Sequence, residues 1–228
     1  AGLIDEATYI GLLGKTIQGV HNMPGRRVQS VAQASWDAWV KYYRADENTP
    51  NATVSYYTKG ALVALCLDAS LRQEGQSLDR LMRALWQRCK AGPMREQDLL
   101  DALHALTGRS YKRELQAWVH GTDELPLSRL LPLLGVQIHA EPANFAQRLG
   151  VRAVDAPGGV LIKTVLRDSA AEQAGLAAND EWIGLELGPR ATLGAWRVTK
   201  LEEVPIWMGR HREGTMLVSR DRQLLRLK

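Results

Sequence analysis

The 228-residue chain has 45% hydrophobic and 24% charged residues, a composition that favours a packed fold and excludes a largely disordered chain. Its net charge of +4 comes from 29 basic and 25 acidic residues that are scattered along the sequence, so we expect no binding to nucleic acid, which needs clustered cations. The longest uncharged apolar run, residues 61–67, is much shorter than the roughly 20 residues of a membrane span, so no membrane partner is expected either.

The first half of the sequence predicts a series of helices. A polar segment, residues 44–53, predicts a loop, and residues 55–74 predict a central helix that ends near Gly75. Ser77 can cap the next helix, and Gly108 and Gly121 can end the last two. The apolar sets that indicate the helices are Ile10, Leu13, Ile17 and Val20; Trp36, Trp39, Val40 and Tyr43; Ala61, Leu62, Leu65 and Cys66; Leu78, Leu81, Met82 and Leu85; Leu99, Leu100 and Leu103; and Leu115, Trp118 and Val119.

The second half of the sequence predicts short strands. All six tyrosines lie before Gly135, and segments rich in valine and isoleucine begin only after it, so we place a domain boundary near Leu125. The predicted organisation is an all-helical domain over residues 1–125 and a second domain over residues 126–228, which gives a multidomain α + β protein. The second domain is expected to be a small, partly open β-barrel. Its strand candidates are residues 136–140, 149–154, 160–166, 182–187, 215–219 and 223–227, with a short helix at residues 169–175.

One motif in the second half resembles the signature of PDZ-like domains in bacterial proteases. Residues 168–176 read Asp-Ser-Ala-Ala-Glu-Gln-Ala-Gly-Leu, and Asp180 opens the next predicted strand. Ser169 can cap a helix, Gly175 can adopt the left-handed conformation that ends it, and Leu176 can return to the core. Ala170 and Ala174 would let that helix lie close to the sheet. The resemblance implies that the second domain is PDZ-like.

The same resemblance implies a peptide as the partner of this domain. Consecutive backbone amides of one loop would hold the C-terminal carboxylate of a peptide, while the following strand pairs with it. An ordinary hairpin around Gly150 is the alternative. Two departures suggest a short or closed groove: Asn179 replaces the usual glycine, and Pro205 lies inside residues 199–208, which should form the helix of the groove. The residues of the implied peptide-binding loop are Arg148, Leu149, Gly150 and Val151.

A motif in the first half indicates a candidate catalytic residue. Residues 56–61 read Tyr-Tyr-Thr-Lys-Gly-Ala and resemble the tyrosine-x-lysine-glycine segment of gluzincin aminopeptidases. Together with residues 28–32, 36–39, 41–44 and 121–126, this motif makes nearly the whole chain similar to the glycyl aminopeptidase family, which also ends in a PDZ domain. The resemblance implies that the hydroxyl of Tyr57 hydrogen-bonds the oxyanion of the scissile carbonyl, with Tyr56 as the candidate if the register differs by one. Periodicity alone would make Tyr57 a core aromatic, and Lys59 and Gly60 are expected to serve packing.

The zinc-binding motif of that class is missing from this sequence. A zincin needs His-Glu-x-x-His and a downstream glutamate, but the sequence has neither His-Glu nor two histidines four residues apart. We therefore predict that this chain binds no catalytic zinc and cleaves nothing unaided. Zinc is expected in a longer parent protein, whose upstream part would be a partner of this chain. Since the chain starts at Ala1 without a visible export signal, either its start was removed or it is an excised piece.

Two hypotheses for function follow from the sequence. The first is the C-terminal portion of a bacterial zinc metallo-aminopeptidase, which hydrolyses peptide bonds at peptide N-termini. A preference for N-terminal glycine or other small residues is implied by the resemblance alone. The alternative is a non-catalytic module, in which helices carry a PDZ-like domain that binds peptide C-termini. The compartment stays open between bacterial cytoplasm and periplasm, because Cys66 and Cys89 both lie in apolar helical surroundings.

Overall fold

The computed structural model describes residues 2–188 and 194–228, which form two compact units. One unit contains the residues through Arg44 together with Ala52–Ala140, and the other contains Ala45–Asn51 and Glu141–Lys228. The protein is of mixed α+β class, with a helical first half followed by a six-stranded antiparallel sheet. Residues 126–140 group with the helices here, whereas the sequence-based division placed them in the second domain. The two predicted domains themselves stay predictions.

Secondary structure follows the predicted change from helices to strands. None of the helices in the described part of the chain is both long enough and apolar enough to cross a membrane. In chain order the α-helices are α1 (Glu6–His21), α2 (Val31–Trp36), α3 (Thr49–Ala52), α4 (Tyr56–Gln73), α5 (Leu78–Cys89), α6 (Glu96–Thr107), α7 (Lys112–Leu115), α8 (Leu127–Leu130), α9 (Phe145–Leu149), α10 (Ala170–Gln173) and α11 (Val204–Met208). The strands are β1 (Val151–Ala156), β2 (Gly159–Val165), β3 (Glu181–Leu187), β4 (Ala195–Arg197), β5 (Gly214–Arg220) and β6 (Gln223–Leu227).

Helix α4 is the centre of the helical unit, as predicted. Ser55 caps it by accepting a hydrogen bond from the Thr58 amide at 3.3 Å, and Gly75 follows it with a φ of +69°. Its buried side chains enter three apolar clusters: Leu71 packs with residues of α5 and α6, Cys66 packs with Trp118 and Leu130, and Leu62 packs with Val20 of α1. Burial of one helix against partners on several sides fixes its position firmly.

The predicted helical stripe of Trp36, Trp39, Val40 and Tyr43 is wrong. Helix α2 ends at Trp36, and turns follow from Asp37 onward. All four side chains are exposed, with Trp36 at 89% and Trp39 at 79%. These four apolar residues have the spacing of a buried helical face, but the described fold leaves them exposed. Met82, which was predicted to be buried on α5, is also exposed at 58%.

The sheet is not closed, and the predicted partly open barrel stays a prediction. Its strand order is β1-β2-β3-β5-β6, with β4 also paired to β3. Strand β2 meets β3 only at Val160–Trp182 and Leu161–Glu181, and β4 pairs further along the same strand, from Gly184 to Glu186. Residues 136–140 form no strand, and β4 was not predicted from the sequence. The remaining predicted strands lie within two residues of β1, β2, β3, β5 and β6.

The motif at residues 168–176 folds as its residue types predict. Ser169 caps α10 by accepting from the Glu172 amide at 3.1 Å, Gly175 has a φ of +82°, and Leu176 is buried in the core of the second unit. Ala171 is the buried alanine of this helix, whereas Ala170 is exposed. Asn179 adopts a φ of +71°, which glycine or asparagine tolerates best.

A proline begins a helix of the second unit. Pro205 occupies the first turn of α11, where its missing amide costs no helical hydrogen bond, and Val204 beside it is fully buried. Pro205 therefore starts α11 instead of breaking it. The helix has only five residues.

Within the second unit, Asn51 connects the segment 45–51 to the end of β2. Its side chain donates to the carbonyl of Val165 at 2.8 Å and accepts from the amide of Arg167 at 2.9 Å. The amide group therefore completes the backbone hydrogen bonding just beyond β2. Sequence reasoning had treated Asn51 only as a turn residue in a polar loop.

Candidate active site

Tyr57 lies at the second position of α4 with its phenol open to solvent. Its side chain is 58% exposed, whereas the neighbouring Tyr56 packs against the apolar cluster that contains Val54 and Leu62. Adjacent helical positions point about 100° apart, so the helix cannot expose both rings equally. Of the two candidate tyrosines, Tyr57 is the more exposed residue. The assignment of a catalytic role to it stays a prediction.

Tyr57 is part of a group of four aromatic residues, which we call the tyrosine cluster: Tyr42, Tyr43, Tyr56 and Tyr57. The rings of Tyr56 and Tyr57 have centroids 4.2 Å apart, and Tyr42 packs edge-on against both Tyr43 and Tyr56. The Tyr43 hydroxyl oxygen lies 3.1 Å from that of Tyr57 and 3.3 Å from that of Tyr56. Three phenol groups therefore share one hydrogen-bond network.

The turns after α2 bring Tyr42 and Tyr43 to the start of α4. Asp37 holds these turns, because its carboxylate accepts from Gln29 at 3.0 Å and from Lys41 at 2.6 Å. Its backbone carbonyl accepts from the amides of Val40 and Lys41, and Tyr43 donates its amide to Ala38. Gln29 in turn is hydrogen-bonded to the hydroxyl of Thr53, two residues before the cap of α4. A polar network thus fixes the approach of the two segments.

The network makes the tyrosines inequivalent as acids. Hydrogen bonds from Tyr43 and then Tyr56 lower the pKa of Tyr57, because they stabilise its phenolate. The hydrogen bonds of Tyr56 to Tyr43 and Tyr57 raise the pKa of Tyr56. Among these phenols, the network therefore favours Tyr57 as the stronger hydrogen-bond donor toward an external negative charge.

Lys59 of the same motif has a packing environment. Its ammonium is buried and donates to the backbone carbonyl of Arg26 at 3.2 Å, and burial lowers its pKa. Gly60 faces the side chain of Val31 at ordinary contact distance. Neither residue faces the open side on which the Tyr57 hydroxyl lies, which agrees with the packing role expected for both.

No metal site is formed within residues 2–188 and 194–228: no three histidine, cysteine, aspartate or glutamate side chains are arranged to hold an ion. The donor set that a catalytic zinc requires is therefore not supplied by these residues. His120, for example, is hydrogen-bonded to Glu96 at 2.5 Å across the helical unit. None of the described residues is assigned to a metal.

The predicted peptide-binding loop lies at the end of α9. Gly150 has a φ of +79°, and a Cβ atom there would lie 2.2 Å from the Cβ of Ser169, so glycine is required. The amides of Arg148 and Gly150 donate to the carbonyls of Asn144 and Ala146 within the helix and its cap. Val151 begins β1, which stands at one end of the strand order. These two amides are thus already engaged, and the role of the loop in peptide binding stays a prediction.

Sequence reasoning placed Tyr43 only in an apolar helical stripe and assigned no role to Asp37, although both lie in segments that carried the family resemblance. The sequence signal that could have placed Tyr43 near Tyr57 is a pair of tyrosines on each side of the polar loop, at residues 42–43 and 56–57. A pair spacing alone does not show that the loop folds back. The turns held by Asp37 supply that information only in three dimensions.

The fold of this chain is similar to that of a solved protein. A crystal structure of an aminopeptidase N family protein from Idiomarina loihiensis is similar over 99% of this chain, with a TM-score of 0.84 and 29% sequence identity. The chain spans only 40% of the length of that protein. The search of curated proteins found no match.

A family model matches the first part of the chain. Residues 1–63, which include Tyr57 and the rest of the tyrosine cluster, match the M61 glycyl aminopeptidase family. The resemblance to glycyl aminopeptidases that the sequence predicted is therefore confirmed.

Proposed function

We propose that this chain is the C-terminal part of a zinc-dependent aminopeptidase of the glycyl aminopeptidase type, in which Tyr57 donates a hydrogen bond to the oxyanion formed during peptide hydrolysis. The observation that carries the proposal is the exposed position of Tyr57 at the start of α4, inside the segment that matches the family. The incomplete coverage of the solved relative supports a longer parent protein that supplies the zinc ligands.

The chemistry proposed for Tyr57 needs only its hydroxyl. When water attacks a peptide carbonyl, its oxygen gains negative charge, and a fixed O–H donor stabilises that charge more than it stabilises the neutral carbonyl. One such donor is worth about 3 kcal/mol, or a factor on the order of a hundred to a thousand in rate. The described residues offer no ligand set for zinc, so water activation is assigned to the rest of the parent protein.

The test of this proposal is Tyr57→Phe in the longer zinc-bearing protein. We expect kcat for an aminoacyl substrate to fall by about a hundredfold or more, with unchanged zinc content and circular dichroism. Tyr9→Phe is the matched control, because Tyr9 is an exposed tyrosine on α1 outside the tyrosine cluster. Full activity of the Tyr57→Phe enzyme would remove Tyr57 from the mechanism. Chelator-sensitive turnover by the present chain alone would contradict the assignment of zinc to the missing part.

We further propose that the second unit is PDZ-like and contacts an extended peptide. Supporting observations are the short helices α10 and α11 beside the sheet, and the position of β1 at one end of the strand order, after the loop at residues 148–151. Because the amides of Arg148 and Gly150 are engaged, pairing along β1 would contribute more than capture of a carboxylate. Binding of a labelled peptide with a free or an amidated C-terminus tests this. Similar affinity for both is expected, and failure of both to bind would refute peptide contact.

A further inference from the structure

Tyr43 is the point of contact between the turns after α2 and the phenol of Tyr57. It reaches Tyr57 from a segment fourteen residues away in sequence, and its own ring is packed against Trp39 with centroids 5.0 Å apart. The remaining groups around Tyr57 are Tyr56 on the same helix and the ring of Tyr42 at 6.2 Å. The cation nearest in sequence to Tyr42, Lys41, is paired with Asp37. The hydrogen bonds that affect the Tyr57 hydroxyl thus come from other phenols.

The direction of the bond between the two hydroxyls has a chemical consequence. A phenol has one hydrogen to donate and lone pairs with which to accept. If Tyr57 donates to an oxyanion, its hydrogen is used, so its contact with Tyr43 persists only with Tyr43 as the donor. Donation by Tyr43 also draws charge from the Tyr57 oxygen and strengthens the outgoing hydrogen bond.

We propose that Tyr43 is a positioning residue for Tyr57: its O–H donates to the Tyr57 oxygen and so directs the Tyr57 hydrogen toward the substrate oxyanion. This inference rests on the proposed function, since it needs Tyr57 to face an oxyanion. The lowered pKa of Tyr57 agrees with it, because Tyr43 is the main cause of that shift.

The sign of the pH effect follows directly. Tyr57 can donate only while it is protonated, so activity is lost as the pH rises through its pKa. Without the Tyr43 hydroxyl the phenolate of Tyr57 loses a stabilising donor, and the pKa of Tyr57 rises. The alkaline limb of the pH profile therefore moves to higher pH, while the weaker outgoing hydrogen bond lowers kcat.

The experiment compares Tyr43→Phe with Tyr42→Phe in the longer zinc-bearing protein. Both changes remove one hydroxyl group and keep an aromatic ring in the tyrosine cluster. The Tyr43 hydroxyl contacts that of Tyr57, whereas the Tyr42 hydroxyl accepts a hydrogen bond from Ser55 at 3.4 Å. For Tyr43→Phe we expect kcat to fall about threefold to tenfold, the range of one neutral hydrogen bond, with little change in KM and an alkaline limb shifted to higher pH. Tyr42→Phe should leave the alkaline limb in place, and Tyr9→Phe, which lies outside the tyrosine cluster, should change neither the limb nor kcat.

A second readout does not depend on activity. Ultraviolet titration of tyrosinate in the present chain should show that a tyrosine with a lowered pKa is lost in Tyr57→Phe and titrates at higher pH in Tyr43→Phe. Thermal unfolding of each variant shows that the fold is retained. An unchanged titration and pH profile for Tyr43→Phe would overturn the inference and leave the proposed function standing. Full activity of Tyr57→Phe would instead refute the proposed function.

Discussion

The guanidinium of Arg26 pairs with the carboxylate of Glu124, although 98 residues separate them in sequence. Arg26 Nη2 lies 2.9 Å and Nε 3.1 Å from Glu124 Oε1, and the side chain of Arg26 is only 7% exposed. The backbone carbonyl of the same arginine accepts from the buried ammonium of Lys59. The segment around Glu124, next to the domain boundary predicted near Leu125, is therefore connected through Arg26 to the helix that carries Tyr57.

This pair predicts unequal effects for two adjacent arginines. Arg26→Ala removes charged hydrogen bonds to Glu124 and the packing of a buried side chain, and we expect it to lower the free energy of unfolding by about 1.5–3 kcal/mol. Arg27 contacts the same carboxylate at 3.3 Å but is 68% exposed, so Arg27→Ala should change stability by about 0.5 kcal/mol or less. Urea unfolding of both variants is the measurement. Equal losses would show that burial of Arg26 adds nothing.

The same carboxylate predicts a response to acid. Burial raises the pKa of Glu124, but hydrogen bonds from Arg26 and Arg27 and their charges outweigh burial and lower it below the ordinary 4.5. Because the folded-state pKa is the lower one, the stabilisation is present above the unfolded-state value and is lost as the pH falls through the folded-state value. Wild type should lose more stability than Glu124→Gln between about pH 6 and about pH 3.

A control isolates this carboxylate from general acid effects. Glu47→Gln removes an exposed glutamate from the chain and should keep the acid response of the wild type. Stability is followed by urea unfolding at each pH. If the curve of Glu124→Gln paralleled that of the wild type, another carboxylate would be responsible for the acid dependence.

The second unit contains a buried ion pair, Arg220 with Asp180, and an exposed one, Arg226 with Glu186, that serves as its control. Asp180 is fully buried and accepts two hydrogen bonds of 2.7 Å from Arg220, which also donates to the carbonyl of Gly175. Arg220→Ala would leave the buried carboxylate without its cation, and we expect a loss of about 3 kcal/mol. Arg226, 71% exposed and 3.1 Å from Glu186, is the control, with an expected change of about 0.5 kcal/mol or less.

The measurement for this pair is unfolding followed by tryptophan fluorescence, to which the buried Trp182 of this unit contributes. The larger loss should belong to Arg220→Ala, and similar losses for the two variants would mean that the buried pair is no stronger than the surface pair. Arg220 also closes the turn that precedes β3, through its hydrogen bonds to Gly175 and Asp180.

Local signals in the sequence were sufficient where a feature depends on nearby residues. Ser77 and Ser169 cap the helices that they were predicted to cap, because a cap involves only atoms three residues away. Gly75 and Gly175 end helices for the same local reason. The spacing rule failed at Trp36 and Trp39, because periodicity records apolar positions but not whether anything covers them.

The sequence by itself determined the helical first half, most strands of the second half, the capping residues, and the motif around Tyr57 that matches the glycyl aminopeptidase family. Only the tertiary structure decided that the sheet stays open, that Tyr57 is exposed while Tyr56 is packed, and that Tyr43 meets Tyr57. Caps and periodic faces are set by interactions within a few residues. Pairings such as Arg26 with Glu124 form between distant segments, and they depend on the folded positions of helices and strands.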